Sequence, residues 1–408
     1  MAEERRSNAQ ARIAMLACAA GCFGPCAVAL SCAGIFLTPV SESLGVSRAL
    51  VSPYITVMLV VAALSLPLLG KISNKVNARA VLCPSILAVS IPLACLSQAT
   101  AIWHFYLAGA IMGVGLGELL FLATPVLINR CFEEGAGVRI GICMALTGVG
   151  GAIFSLLGGF LIAMNPEGWR LAYLTLGVLG AVIALPPALL LDSRPACDES
   201  ATPVATSSKP ALSQVFVKLT LYAILLNVAL GMCQHLPSLA SSLAEIDGAA
   251  ATGSMLAAAV MIGQAVGKIA LGRTSDAAGA RTACIASTLF GLAGLTVLAA
   301  STNWSYLLLA AGFAFGVFYA SSTVTLPLMA KEAFEPLSYS ALYSRVAMAG
   351  VLTGALAVTA WGFLIDAAGF TTAIIVAAIL SAASGLIGLW SSKATGKLSV
   401  NQTHEAIA

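Results

Sequence analysis

The sequence predicts an all-α membrane protein of twelve transmembrane helices in two six-helix bundles, and three observations carry that prediction. The 408-residue chain is 59% hydrophobic and 9% charged, whereas a soluble domain is roughly a quarter charged. Its mean hydropathy is +0.97. The apolar residues fall in runs of about 20, the length a helix needs to cross a hydrocarbon core of roughly 30 Å. These runs lack the polar–apolar alternation over about ten residues that marks the strands of a membrane barrel.

The runs cover 13–37, 49–70, 80–98, 102–128, 139–164, 170–191, 214–236, 250–271, 282–300, 304–330, 342–365 and 370–390. The first follows "EERRSNAQAR" and imitates a signal peptide, but its apolar stretch is too long and no small-x-small cleavage site follows, so it reads as a retained span. Between the sixth and seventh runs lies "DSRPACDESATPVATSSKPALS", residues 192–213. It is rich in Ser, Thr, Pro and Ala, a flexible linker by composition. The expected organisation is a bundle over 1–191, this linker, a second bundle over 214–391 and a tail over 392–408.

Basic residues orient the spans. With the N-terminus inside, only Arg48 and Arg170 lie outside, leaving 18 of the 20 Lys and Arg on the cytoplasmic side. Such a skew fixes topology under the positive-inside rule. The net charge of +3 therefore reports topology and not a nucleic-acid partner. Both termini and the linker are expected in the cytoplasm, the chain lying in the cell inner (plasma) membrane.

Eleven cysteines invite a metal or disulfide reading, above all Cys18, Cys22 and Cys26 on one face of the first helix. No Cys-x-x-Cys or His at ligand spacing accompanies them, and small residues at such spacing suit close helix packing. No metal and no cofactor is expected.

The two halves repeat at one constant spacing: Gly70 matches Gly272, Arg79 matches Arg281, Pro125 matches Pro327, Phe132-Glu133 matches Phe334-Glu335, and Gly148 matches Gly350. Several matches at one spacing, in equivalent helices and loops, mark a duplication. The pair "GKISNKVNAR" (70–79) and "GRTSDAAGAR" (272–281) resembles the Gly-x-x-x-Asp-x-x-Gly-x-Arg signature of the major facilitator superfamily. In that family the signature occupies the cytoplasmic loops after the second and eighth helices. The second copy is complete, with Gly272, Asp276, Gly279 and Arg281. In the first, between Gly70 and Arg79, Asn74 replaces Asp and Asn77 replaces Gly, so its gating contact is expected to be weaker. An Asn hydrogen-bonds without forming an ion pair.

"GIFLTPVSESLGVSRALVS" (34–52), "NRCFEEGAGVRIGICMALTGVGGAIF" (129–154) and "GWRLAY" (168–173) resemble segments of the oxalate/formate antiporter and monocarboxylate porter branches. Phe154-Ser155 stands where drug/proton antiporters of the superfamily carry Gly-Pro. The resemblance implies alternating-access transport of a small organic anion of monocarboxylate type, by a monomer in the bilayer. Protons or a counter-anion are the two implied coupling partners.

Lys268 gains a context from the same resemblance, because carboxylate-transporting relatives place a base four residues before the signature glycine. An ammonium in a low-dielectric cavity attracts a carboxylate more strongly than it does at the surface. The competing reading is a lysine that snorkels to the interface about one turn away. Gln264, one turn before Lys268, stands where proton-coupled relatives carry Asp, and helix packing is its alternative role. Glu118 in "GVGLGELLF" is a carboxyl group in mid-helix, either a proton carrier or counter-ion, or a structural hydrogen-bond partner. Arg345 reads as a second anion contact or a gate residue at the start of the eleventh helix. Asn227, Gln234 and His235 of the seventh helix and Tyr319 of the tenth are cavity candidates, with hydrogen bonding or packing between helices as their other reading.

Three widely separated histidines and no nucleophile–base pair argue against an enzyme. An efflux carrier for drugs or amphipathic compounds, or a non-transporting sensor, would share the fold.

Overall fold

The computed structural model of the chain describes residues 2–46, 48–73, 76–132, 134–192, 214–236, 239, 249–300 and 305–405. All regular structure among them is helical. They divide into two compact units, one within residues 1–203 and one within 204–408. The expected linker lies almost wholly outside the described residues, as do Asn74 and Glu133.

In the first unit the spans are α1 (Ala9–Ser31), α2 (Pro53–Ile72), α3 (Ala78–Gln98), α4 (Ile102–Cys131), α5 (Ala136–Ala163) and α6 (Gly168–Leu189). In the second, α7 is Gln214–His235 and α10 is Tyr306–Ala333. The helix Ala249–Ala300 breaks at Gly279, whose φ of 83° and ψ of 157° divide it into α8 (249–278) and α9 (280–300). Gly369, with φ 79° and ψ 169°, likewise separates α11 (336–368) from α12 (370–391) within Pro336–Glu405. Both breaks use a backbone region essentially open to glycine alone. The eleven apolar stretches thus become twelve spans.

Helix ends depart from the hydropathy boundaries. The first span closes at Ser31 rather than 37: Cys32 interrupts it, and a separate helix Ala33–Leu44 follows, ended by Gly45 at φ 64°. α8 continues seven residues beyond its expected end at 271, and α11 starts at Pro336 rather than 342. Hydropathy marks where the bilayer begins, whereas these helices end where glycine turns the backbone or the chain leaves an extended residue.

Small residues bring the helices together. On α4, Gly109, Gly113 and Gly117 seat one turn apart on Tyr54, Met58 and Ala62 of α2, where a methyl group would strike backbone oxygens. On α8, Gly263 and Gly267 face Phe313 and Val317 of α10 in the same manner.

At the end of the first unit remote from the signature loop, Arg170 donates to the carbonyls of Ser97 (3.0 Å) and Ala99 (2.8 Å) and pairs with Glu167. Glu167 also accepts from Ser43 Oγ at 2.8 Å. The Arg170 contact first, and the Ser43 hydroxyl second, hold the Glu167 carboxyl below its usual range.

Candidate functional site

Lys268 and Gln264 share one face of α8, one turn apart. Lys268 is 7% exposed. The helix continues ten residues past it to 278, about 15 Å of further rise. The sequence-based expectation put the helix end about one turn away, so the distance to the end is longer than expected. A buried ammonium within a span costs several kcal/mol unless an anion, a dipole or water meets it.

The candidates on α7 gather along its seam with α11. Asn227 packs against Gly350 and Gly354, and its Nδ2 donates to the Ala223 carbonyl at 2.8 Å. His235 Nε2 lies 2.9 Å from the Val358 carbonyl, and Trp361 Nε1 donates to Val228 O at 2.7 Å along the same seam. Gln234 is exposed. Arg345 is half-buried, about two and a half turns after the first residue of α11, and has no hydrogen bond or ion pair among the described residues. Tyr319 is half-buried where the regular part of α10 gives way to a 3₁₀ turn, Ala320–Ser322.

Glu118 belongs to the first unit. Proline at 125 removes the amide that would bond four residues back, and α4 widens into a π turn, Gly117–Ala123, just before it. The repeat-equivalent Pro327 follows the 3₁₀ turn of α10 in the same way. The π turn holds Glu118 at 1% exposure. Ser73 Oγ, at the end of α2, donates to Glu118 Oε1 at 2.7 Å, while Oε2 has no partner among the described residues. Arg130 of α4 reaches the Ser73 carbonyl at 3.4 Å.

Ser73 lies inside the first signature copy, between Gly70, which is buried, and Arg79, which is exposed. In the second copy Gly272 is buried, while Asp276 and Arg281 are exposed. There Glu332 of α10 accepts the Ala280 amide at 2.8 Å, satisfying one of the free N–H groups at the start of α9. Ser73, Arg130 and Glu332 were not singled out in the sequence. The repeat contained the signal, since Arg130 and Glu332 occupy equivalent positions, as do Ser73 and Ser275.

The cysteines of α1 are buried. Cys22 Sγ lies 3.7 Å from Thr124 Oγ1, and Cys143 of α5 donates to the Met15 carbonyl at 3.8 Å. Among the described residues no group of three His, Cys, Asp or Glu side chains has metal-holding geometry.

Two six-helix units with repeated loops, proline breaks and a signature glycine at positive φ agree with one sequence profile, that of the Major Facilitator Superfamily, which matches residues 19–260 and 236–406. The chain belongs to that superfamily. It is therefore a multi-pass membrane protein of a transporter family. Over 368 residues it is 26% identical to monocarboxylate transporter 13 of Rattus norvegicus, covering 87% of this chain and 83% of that transporter. The superfamily transporter FucP, crystallised in the outward conformation, shares the fold with a TM-score of 0.73 at 17% identity, over 93% of this chain and 98% of that one. The human organic anion transporter MFSD10 gives 0.67 at 15% identity, over 94% and 99%. At such identities the structural likenesses establish the fold.

Proposed function

We propose that this superfamily member is a secondary active carrier of a small organic anion of monocarboxylate type, with Lys268 as the anion-binding base and Gln264 beside it. The observation that carries the reading is the burial of Lys268 at 7% exposure inside an apolar span. An ammonium there is a functional group by default, and a carboxylate would form a charge-assisted pair with it. The similarity to monocarboxylate transporter 13 supports the substrate class. Glu118 is the proposed proton-coupling group, because Gln264 does not titrate. The asymmetry of Lys and Arg supports cytoplasmic termini in the plasma membrane.

A thermal-stability screen of the purified protein against mono- and dicarboxylates tests the reading. A ligand that binds the native state at one hundred times its Kd stabilises by about 2.7 kcal/mol. Monocarboxylates are expected to stabilise the wild type and not Lys268→Ala, with Lys268→Arg keeping part of the response because charge survives while hydrogen-bond geometry changes. An equal response in wild type and Lys268→Ala would remove Lys268 from the site. Stabilisation by amphipathic drugs alone would favour an efflux carrier.

A further inference from the structure

Apart from the anion-site candidates, the second unit has a groove of about 220 Å³ between α9 and α12. Ile285, Leu289 and Leu292 form one wall and Ala382, Leu386 and Leu389 the other. Gly385 meets Thr288 at the floor, and the Thr288 hydroxyl is spent on the Cys284 carbonyl at 2.8 Å. The groove therefore offers apolar contact and no free hydroxyl. Its rims project outward, Leu289 being 61% and Leu386 68% exposed. A drug-sized ligand is usually enclosed in roughly 300–1,000 Å³, so the space suits something narrower.

One end of the groove is basic. Gly388 of α12 packs against Cys284 of α9 and the Tyr222 ring of α7, so the three helices converge there. Arg281 lies one turn before Ile285 on the groove face of α9, and Lys218, one turn before Tyr222, reaches Trp390, the residue after the groove-lining Leu389. Lys218 Nζ rests 4.1 Å from the centroid of the Trp390 ring, and Trp390 is 62% exposed. Arg281 is exposed and makes no ion pair among the described residues. A Trp–Lys pair at the end of spans belongs at headgroup level. From Ile285 to Leu292 the groove runs about 10 Å along α9, within one leaflet of a hydrocarbon core roughly 30 Å thick.

We infer that this groove holds an acyl chain of one anionic phospholipid, with Lys218 and Arg281 binding its headgroup phosphate. Bases at the membrane surface next to a crevice between helices recognise anionic headgroups, and the apolar walls take the chain. A soluble anion would use the bases and leave the groove empty. A second copy docked symmetrically would bring its own basic rim to the same membrane level, where like charges repel. The assignment takes from the proposed topology only the leaflet, the cytoplasmic one, and does not depend on the transported substrate.

Native mass spectrometry of the intact protein, equilibrated with equal amounts of phosphatidylglycerol and phosphatidylcholine, tests it. The wild type should retain phosphatidylglycerol preferentially, each of Lys218→Ala and Arg281→Ala should reduce that preference about fivefold, and Ala382→Phe should reduce retention of both lipids by filling the groove. The two basic side chains lie at the membrane surface, so their variants decide the matter even if Ala382→Phe fails to fold. Equal retention of the two lipids by the wild type, an undiminished preference in the double basic variant, or a lipid-free dimer as the main species would overturn the assignment. None of these outcomes bears on transport, so a failure here leaves the carrier reading standing.

Discussion

Ser73 and Ser275 occupy equivalent places in the two signature loops, each 9% exposed, and they meet different chemistry. Ser73 donates to the buried Glu118 and its carbonyl receives Arg130. The position equivalent to Glu118 in the second unit is Ala320, and the position equivalent to Arg130 is Glu332, which caps α9 at Ala280. The backbones differ as well: Gly279 sits at φ 83°, while its counterpart Asn77 is extended at φ −66° and ψ 151°. Other features were kept in both halves. A proline follows each helix break, and Phe132 and Phe334 are both extended residues closing α4 and α10. The duplication thus preserved the scaffold and let the polar groups diverge. The first loop is tied to a buried carboxyl group, whereas the second is set by a glycine and a helix cap.

The largest expected effect of that difference is on coupling. In proteoliposomes, Glu118→Gln should keep exchange of internal for external substrate and lose accumulation driven by an imposed pH gradient. Accumulation at the wild-type rate would separate Glu118 from proton coupling. Next comes the backbone. Gly279→Val should cost about 3 kcal/mol, because a β-branched residue strains strongly at that φ and ψ, while Asn77→Val should cost under about 1 kcal/mol. Equal losses of thermal stability would contradict the different loop conformations.

Much of this architecture was legible in the sequence, for identifiable reasons. Spans are visible because the bilayer demands long apolar runs, and Gly279 because a signature places glycine where the chain must turn. The ends of α8 and α11 were not legible, since hydropathy does not register a helix that continues into polar surroundings. The Ser73–Glu118 contact was hidden for a different reason: it joins the end of α2 to a π turn in α4, and neither residue's local sequence names its partner. Asn227 and His235 read as open cavity candidates until the structure showed Asn227 donating to the Ala223 carbonyl one turn back on α7 and His235 meeting the Val358 carbonyl across the seam with α11.

A smaller effect is expected from the hydroxyls themselves. Ser73→Ala removes a hydrogen bond to a buried carboxyl group and should cost about 2 kcal/mol, against less than about 1 kcal/mol for Ser275→Ala, which meets no carboxyl group among the described residues. Comparable losses in chemical unfolding would mean that the Glu118 contact adds nothing. The smallest shift in stability, within about 0.5 kcal/mol, is expected for Asn74→Asp, which restores the signature acid. Its effect should fall on turnover instead, through a changed balance of access states. Unchanged transport rate and unchanged accessibility labelling would show that the first loop does not use the charge.

Counterflow exchange of a labelled monocarboxylate in proteoliposomes tests the central claim most directly, because it needs no imposed gradient and reports binding and translocation together. The wild type should exchange, Lys268→Ala should fall by about 30-fold or more, as when one partner of a buried charge pair is removed, and Lys268→Arg should lie between them. Exchange in Lys268→Ala at the wild-type rate, or no exchange of any monocarboxylate by a folded wild type, would contradict it.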